Sequence, residues 1–305
     1  MHFTLKQISY FVAAAETGSI TLASERVNIS QPSISSAIAV LEANFGLQLF
    51  IRHHAQGLSL TGDGQRFLRE ARLLLQQADE LQNAGSEISK RVAGPLEIGC
   101  LATLYPLVIP ELLYRFKQRH ANARVNALAG HQTELFENLR TGHISMALTY
   151  AMGIPADLEF TPLAALAPYA YVSANHRLAK NQTIKLADLA AEPFILLDLP
   201  MSRDYFLSLF TQTGVTPNIG GKFPHFDVIR SLVARGEGYS IANARPKNQA
   251  SLDGRDLAYL KLDSTLSSLT YGILTLKGAR RTPTLNAFTE LCRELLAGKQ
   301  LPGTV

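Results

Sequence analysis

The first ninety residues carry apolar side chains at intervals of three and four, the spacing of amphipathic helices. Thr4 and Gln7 form a capping box that predicts the start of a first helix, and Gly18 marks its end. A second, shorter helix is predicted over residues 21–27. The apolar positions of the first helix are Leu5, Ile8, Phe11, Val12 and Ala15.

A third helix is predicted between Ser30, a favourable N-cap residue, and Gly46, which suits the position just beyond a helix. Its core-facing stripe is Ile34, Ile38, Leu41 and Phe45. Its opposite face is small and uncharged, and consists of Pro32, Ser33, Ser36, Ala39, Val40 and Ala43. Such a face can approach a partner closely.

The second helix, a tight turn at residues 28–29 and the third helix predict a helix-turn-helix whose last helix enters the DNA major groove. Residues 49–64 then alternate apolar and polar side chains around Gly57, which is typical of a two-stranded wing. The N-terminal part is therefore predicted to be a winged helix-turn-helix.

Residues 64–89 repeat apolar or small side chains in a heptad pattern. The seam is Phe67, Ala71, Leu74, Ala78, Leu81, Gly85 and Ile88. The pattern favours a helix that pairs with a second copy of the chain, with an amphipathic helix that lies on its own domain as the alternative. Residues 90–95 would then form a hinge.

From Pro95 onward, strands and helices alternate. Strands are predicted at 95–100, 123–130 and 144–150, with helices at 105–119 and 133–141 between them, an order that favours a parallel sheet covered by helices. A strand pair is expected between residues 160 and 173, the second member spanning 168–174. The later strands are predicted at 193–199, 238–243 and 268–276, and the later helices at 186–191, 202–213, 227–235 and 282–296.

The run FVAAAETGSITLASERVNISQPSISSAIAVLEANFGLQLFIR, followed by LSLTGDG, resembles the DNA-binding domain of LysR-type transcriptional regulators. The remainder resembles the effector domain of that family. The implied fold class is α/β: a mostly helical winged helix-turn-helix, then two Rossmann-like subdomains of the type 2 periplasmic-binding-protein kind. The implied domains are 1–62 for DNA binding, 63–89 as a dimerisation helix and 90–305 for effector binding, with subdomain I at 95–165 and 270–305 and subdomain II at 166–269.

The resemblance implies that the chain binds double-stranded operator DNA as a homodimer that assembles to a homotetramer, responds to a small-molecule effector, and has RNA polymerase as a further candidate partner. Residues 1–90 hold seven Lys and Arg against eight Asp and Glu, so the formal net charge of +4 comes from the remainder. Few phosphate contacts per subunit are therefore expected. The residues expected to contact DNA are Arg26, Ser30, Gln31, Pro32, Ser33, Ser36, Arg52, His53 and Thr61.

The effector is expected where strands end and helix N-termini present free N–H groups. The candidate residues are Thr103, His131, Gln132, Thr133, Tyr150, Ser202, Arg203, His225 and Phe226. Helix N-termini with Arg203 or His131 would suit a carboxylate, and the Tyr and Phe side chains an aromatic or heterocyclic group. Thr133 and Ser202 also suit N-caps, and Tyr150 a strand core. Ser145 stands where the family often has Asp.

The chain lacks the sequence motifs of nucleophilic hydrolases, phosphate-binding loops and zinc proteases, and we expect no enzyme activity, no cofactor and no metal. His53 and His54 are adjacent and point in different directions, which favours wing residues over metal ligands. Cys100 and Cys292 are expected to be buried apolar residues, with a redox role as the alternative. No signal peptide or membrane span is visible, so a cytoplasmic protein is expected. The alternative function is a solute-binding sensor with a vestigial DNA-binding domain.

Overall fold

We describe a computed structural model of the chain over residues 3–53, 57–87, 92–263, 266–279, 281–297 and 303–304. The chain divides into two compact units, Met1–Arg91 with Arg140–His143, and Val92–Leu139 with Ile144–Val305. Each unit has its own hydrophobic core. Within the described ranges, no helix combines the length and apolar character that crossing a bilayer requires.

The N-terminal unit is a helix-turn-helix with a wing, as the apolar spacing predicts. Its elements are α1 (Leu5–Thr17), α2 (Ile20–Val27), α3 (Gln31–Phe45), β1 (Phe50–His53), β2 (Gly57–Leu60) and α4 (Gly62–Glu87). The Thr4 and Gln7 capping box forms as predicted, and Gly18 ends α1 in the left-handed conformation. Asn28 also adopts that conformation, at φ 52°, which allows the tight turn before α3.

The core stripe of α3 is confirmed for Ile34, Ile38 and Leu41, which are buried, but is wrong for Phe45. Phe45 lies in the last turn of α3, where the helix extends past the core, and it is 41% exposed. Its ring packs against the rings of Phe3 and Phe67, with centroids 5.4 Å and 5.0 Å away. Ser30 stands at the N-cap position, but its hydroxyl pairs with that of Ser33 instead of capping a backbone N–H.

Residues 60–64 have the sequence LTGDG, here called the LTGDG motif, and its second glycine, Gly64, is required because another part of the backbone passes close to it. A Cβ atom on Gly64 would lie 2.1 Å from the carbonyl oxygen of Leu49, well inside van der Waals contact. The Thr61 hydroxyl donates to the carbonyl of Gln48 at 2.6 Å and accepts from the N–H of Gly64 at 2.8 Å. These contacts therefore hold the start of α4 against the segment that leads into the wing.

Only the N-terminal half of helix α4 packs against the core of its own domain. Ala71 is buried, and Phe67 and Leu74 pack against the core formed by α1, α2 and α3. Farther along the helix, Leu81 is 75% exposed. The last seam position, Ile88, and the first two hinge residues lie outside the described residues, while Gly94 and Pro95 belong to a strand rather than to a hinge.

The C-terminal unit alternates strands and helices over its whole length. Its elements are β3 (Gly94–Leu101), α5 (Tyr105–Arg119), β4 (Ala123–Gly130), α6 (Gln132–Arg140), β5 (Met146–Tyr150), β6 (Leu158–Leu166), β7 (Tyr169–Ser173), β8 (Thr183–Ile184), β9 (Pro193–Leu197), α7 (Ser202–Thr213), β10 (Asn218–Phe223), α8 (Phe226–Ala234), β11 (Ser240–Ala242), β12 (Leu257–Leu262), β13 (Leu269–Leu276) and α9 (Pro283–Leu296). Residues Leu186–Leu189 form one turn of 3-10 helix where a longer helix is predicted.

The first sheet has the order β4-β3-β5-β13-β6 and is mixed. Strands β3, β4 and β5 are parallel, as predicted from the alternating order. The predicted parallel arrangement of these three strands is confirmed, and β13, which runs antiparallel to both β5 and β6, makes the whole sheet mixed. The reason is that the chain leaves this sheet through β6 and returns through β13 after building the second sheet.

The second sheet contains β11-β7-β12-β8, with the parallel pair β9 and β10 beside it. Each sheet region has its own cluster of buried side chains. Strands β8, β10 and β12 are not predicted from the sequence pattern. Strand β10 reads NIGGKF, and its two glycines and exposed side chains conceal an edge strand from a pattern search.

Candidate DNA-binding face and effector cavity

The exposed face of α3 carries small, uncharged side chains, as the sequence predicts. Gln31, Pro32, Ser33 and Ser36 are exposed, and Ala39 and Val40 continue the same surface. A shallow groove of about 510 Å³ runs beside this face and is completed by the start of α1. Lys6 and Tyr10 line that groove, so a cation lies beside α3 although α3 itself carries none.

The residues predicted to contact DNA phosphates differ in their exposure and in whether their polar groups already have partners within the protein. Arg26 is exposed and forms an ion pair with Glu16 at 2.8 Å. The same carboxylate also pairs with Arg72. Arg52 and His53 are exposed on the wing, where the His53 ring is 2.7 Å from the Ser59 hydroxyl. Thr61 is half-buried, and its hydroxyl is used for the backbone contacts of the LTGDG motif. His54 lies outside the described residues.

A cavity lies where strands of the two sheets end. Thr103 follows β3, Tyr150 ends β5, and Asn243 follows β11. Ser202 and Phe226 begin α7 and α8, so two helix N-termini face the same space. This is the carboxyl edge of the strands, where open α/β sheets bind ligands.

The polar groups that line this cavity carry no formal charge. They are the hydroxyls of Thr103, Tyr150, Ser202 and Tyr205 and the amide of Asn243. Asn243 donates to the Tyr205 hydroxyl at 2.8 Å and to the carbonyl of Leu166 at 3.0 Å. Burial raises the pKa of both Tyr150 and Tyr205, so their hydroxyls stay protonated. The Tyr205 hydroxyl donates to the carbonyl of Ser267 at 3.4 Å.

The rest of the lining is apolar. It consists of Met152, Leu197, Phe206, Phe226, Ile241, Ala242, Ala244 and Leu269. The cavity volume is about 30 Å³, enough for about two water molecules. A metabolite-sized ligand therefore needs the two sides of the cavity to separate.

The loop that leads into α7 is strained at Met201. This residue has φ 65° and ψ −36°, outside the regions that a side chain with a Cβ prefers. The N–H of Ser202 bonds to the carbonyl of Pro200 at 2.8 Å, which closes a γ-turn around Met201. Backbone strain of this kind is concentrated at binding and switch regions.

Two family models match the chain. The helix-turn-helix of the bacterial regulatory lysR family matches residues 5–65, and the LysR substrate binding domain matches residues 89–297. The chain belongs to the LysR family of transcriptional regulators. As a LysR-type regulator it combines a DNA-binding domain with an effector-binding domain.

Similar proteins support this assignment. The HTH-type transcriptional regulator TdfR of Cupriavidus pinatubonensis is 30% identical over 300 residues, which cover 94% of this chain and 97% of TdfR. The crystal structure of HinK from Pseudomonas aeruginosa is 36% identical and has a TM-score of 0.65, covering 96% of this chain and 99% of HinK. Full-length CbnR in complex with its target DNA is 25% identical, with a TM-score of 0.70 and coverage of 96% and 99%.

The family assignment favours a regulator over the solute-binding sensor with a vestigial DNA-binding domain. The relatives are described as transcriptional regulators, which are not enzymes. Among the residues that the structure describes, there is no group of three or more His, Cys, Asp or Glu suited to a metal ion. Both cysteines of this LysR-type regulator are buried, and burial raises the pKa of each thiol.

Four of the nine predicted effector residues line the cavity: Thr103, Tyr150, Ser202 and Phe226. Gln132 is buried, but its amide donates to the carbonyls of Tyr150 and Met152 at 2.9 Å and 2.5 Å, which places it in the scaffold behind the cavity. The Thr133 hydroxyl and the His131 ring are 2.7 Å apart and face each other. None of these three is among the cavity-lining residues in the described part of the chain.

Arg203 and His225 also lie outside the cavity lining of this LysR-type regulator. Arg203 forms an ion pair with Asp198 at 2.6 Å. His225 occupies the N-cap of α8. Tyr205 and Asn243 line the cavity and are absent from the predicted set. Tyr205 follows Ser202 by three residues on the same helix face, and Asn243 follows a buried strand, signals that were available in the sequence.

Proposed function

We propose that the cavity binds a small carboxylate with an aromatic or heterocyclic body. The hydroxyls of Thr103, Tyr150 and Ser202 and the N-terminus of α7 line a space with apolar walls, and this lining carries the proposal. The Asn243 amide and the Tyr205 hydroxyl donate to protein acceptors and shape the polar side of that space. Hydroxyl donors and a helix N-terminus stabilise an anion without a cationic side chain. Phe206 and Phe226 provide aromatic surface for the body of such a ligand.

We further propose that ligand binding opens the cavity and thereby changes how two dimers are arranged on operator DNA. The small cavity volume supports this idea, because a ligand that fits only an opened form shifts the population toward it. Residues 1–62 would bind DNA, 63–89 would set the spacing of two recognition helices in a dimer, and 90–305 would sense the effector. A homotetramer in the cytoplasm, with RNA polymerase as a further contact, completes the proposal.

The effector site can be tested by thermal shift on the full-length protein. Small carboxylates would be screened with benzoate as the reference probe and benzyl alcohol as its uncharged counterpart. A ligand at 100 times its dissociation constant stabilises the folded protein by about 2.7 kcal/mol, a readily measured shift. We expect Thr103→Val combined with Ser202→Ala to abolish the shift of every carboxylate that stabilises the wild type.

Thr133→Val is the matched control, because Thr133 lies outside the cavity lining and pairs with His131. It should keep the wild-type shift. A double variant that keeps the shift would exclude this cavity as the effector site.

DNA reading by α3 needs a separate measurement. The small exposed face limits hydrogen bonding to base edges to Gln31, Ser33 and Ser36, while Pro32, Ala39 and Val40 can contact thymine methyl groups. Gel-shift assays with the DNA upstream of the gene should show weaker specific binding by Gln31→Ala. Unchanged binding to the specific site would contradict the role of this helix in sequence recognition.

A further inference from the structure

Arg230 is a buried cation on α8. It is 4% exposed, and its guanidinium donates to the Tyr259 hydroxyl at 2.7 Å and to the backbone carbonyls of Asn248 and Ala250, at 2.9 Å and 2.5 Å. All three acceptors are neutral. A guanidinium keeps its proton inside a protein, so its charge stays in place without a carboxylate partner among the described residues.

Arg245 brings a second guanidinium to the same tyrosine. Its central carbon lies 4.6 Å from the centroid of the Tyr259 ring, and that of Arg230 lies 6.0 Å from the same centroid. The Nε atom of Arg245 is buried without an acceptor. In the described ranges, no hydrogen bond or ion pair uses any other donor of Arg245.

The neighbouring carboxylates form no direct ion pair with these two cations. Asp227 lies one turn before Arg230 on α8, and Asp256 pairs through its backbone with Ala250. Within the described residues, neither Asp227 nor Asp256 forms an ion pair with either arginine. Asp253 is engaged by Arg235 and Arg255. Two guanidiniums thus share one aromatic ring, and neither forms an ion pair with a described carboxylate.

We propose that Arg245, backed by Arg230 and held flat by Tyr259, binds a small oxyanion at the surface of the second sheet region. The planar fork of a guanidinium donates two parallel hydrogen bonds to a carboxylate or phosphate. Stacking on Tyr259 fixes the plane of that fork, and the buried charge of Arg230 adds attraction in a poorly solvated place. This site is distinct from the effector cavity, whose lining includes neither arginine.

Phe226 connects the two places. It lines the effector cavity, and Arg230 lies 5.8 Å from the centroid of its ring. Arg245 also directly follows Ala244, which lines the cavity wall. An oxyanion bound to Arg245 would therefore be held by the residue next to that wall. The inference does not depend on which effector the cavity takes.

Calorimetric titration of the full-length protein with sodium phosphate, at ionic strength held constant with sodium chloride, tests the site. Sodium acetate in a parallel titration separates carboxylate from phosphate as the preferred oxyanion. We expect saturable binding by the wild type, at least tenfold weaker binding by Arg245→Gln, and an intermediate affinity for Arg245→Lys, which keeps the charge but loses the fork.

Two control variants isolate the site. Arg255→Gln removes an exposed guanidinium that is paired with Asp253, and Arg115→Gln removes one that is paired with Glu111 on α5. Both should bind phosphate as the wild type does. Equal affinity of Arg245→Gln and the wild type, or no saturable binding of either anion by the wild type, would overturn the proposal.

A chemical measurement on the wild type avoids the question of whether the variants fold. Phenylglyoxal modifies accessible guanidiniums, and mass spectrometry of peptides identifies which ones. Phosphate should slow the modification of Arg245 at least fivefold and leave that of Arg255 unchanged. Equal slowing of both residues, or of neither, would contradict a site at Arg245.

Discussion

The carboxylate of Glu42, in the last turns of the recognition helix α3, accepts a hydrogen bond from the backbone N–H of Leu49 at 2.8 Å. It also accepts one from the N–H of Phe50 at 3.2 Å. These two N–H groups begin the wing, so one side chain fixes the direction in which the chain leaves α3. The family motif places Leu-Glu at this position, and the contact gives a physical reason for the acid.

Replacing this acid should loosen the wing. We expect Glu42→Ala to destabilise the DNA-binding domain by about 2–3 kcal/mol, because two hydrogen bonds to a charged, half-buried acceptor are lost. Glu42→Gln should lose less, since an amide oxygen still accepts. Hydrogen exchange followed by mass spectrometry should show faster exchange at Leu49 and Phe50. Glu25→Ala, at an exposed acid on α2, is the control and should leave that exchange unchanged.

The wing arginine should contribute to DNA binding through phosphate. Arg52→Gln is expected to weaken binding to all DNA sequences about fivefold and to reduce the salt dependence by about one phosphate contact. Filter binding at several salt concentrations measures both quantities. Lys180→Gln changes an exposed cation of the effector-binding unit and should alter neither. A loss confined to the specific sequence would contradict phosphate contact.

Self-association should depend on the exposed half of α4. A groove beside α1 is lined by Leu5, Leu75, Ala78 and Leu81, and Leu81 has little contact with its own chain. Burying a leucine contributes about 1.5–3 kcal/mol, so Leu81→Glu should weaken dimer formation at least tenfold. Sedimentation velocity over a concentration series measures this change. Leu252→Glu, at another exposed leucine, provides the comparison, and equal effects would exclude a specific role for α4.

Strain at Met201 predicts an unusual order of stability between two variants. At a positive φ, glycine is favoured over alanine by about 1 kcal/mol, so Met201→Gly should unfold at a higher temperature than Met201→Ala. Both variants lose the packing of the side chain beyond Cβ, so the difference between them reports mainly on backbone strain. At Lys117, exposed within helix α5, the order should reverse, because alanine is favoured there. Differential scanning calorimetry decides between the two outcomes.

Short-range patterns in the sequence are sufficient to specify the local elements. The capping box at Thr4, the helix over Tyr105–Arg119 and the strand over Ala123–Gly130 follow from spacing and from residues that begin or end an element. The bare face of α3 was readable for the same reason, because the side chains on one helix face recur at fixed intervals. The ordered motif from Phe11 to Gly64 also indicated the family.

Tertiary structure decided which of these groups meet. Whether an arginine lies in the cavity or pairs with Asp198, as Arg203 does, depends on residues brought together by folding. The same holds for Phe45, which the helical period assigns to the core although α3 extends past it. The antiparallel return of β13, the cavity contributions of Tyr205 and Asn243, and the two guanidiniums on Tyr259 all depend on contacts between distant parts of the chain. Periodicity describes which face a residue lies on, and packing determines what that face contacts.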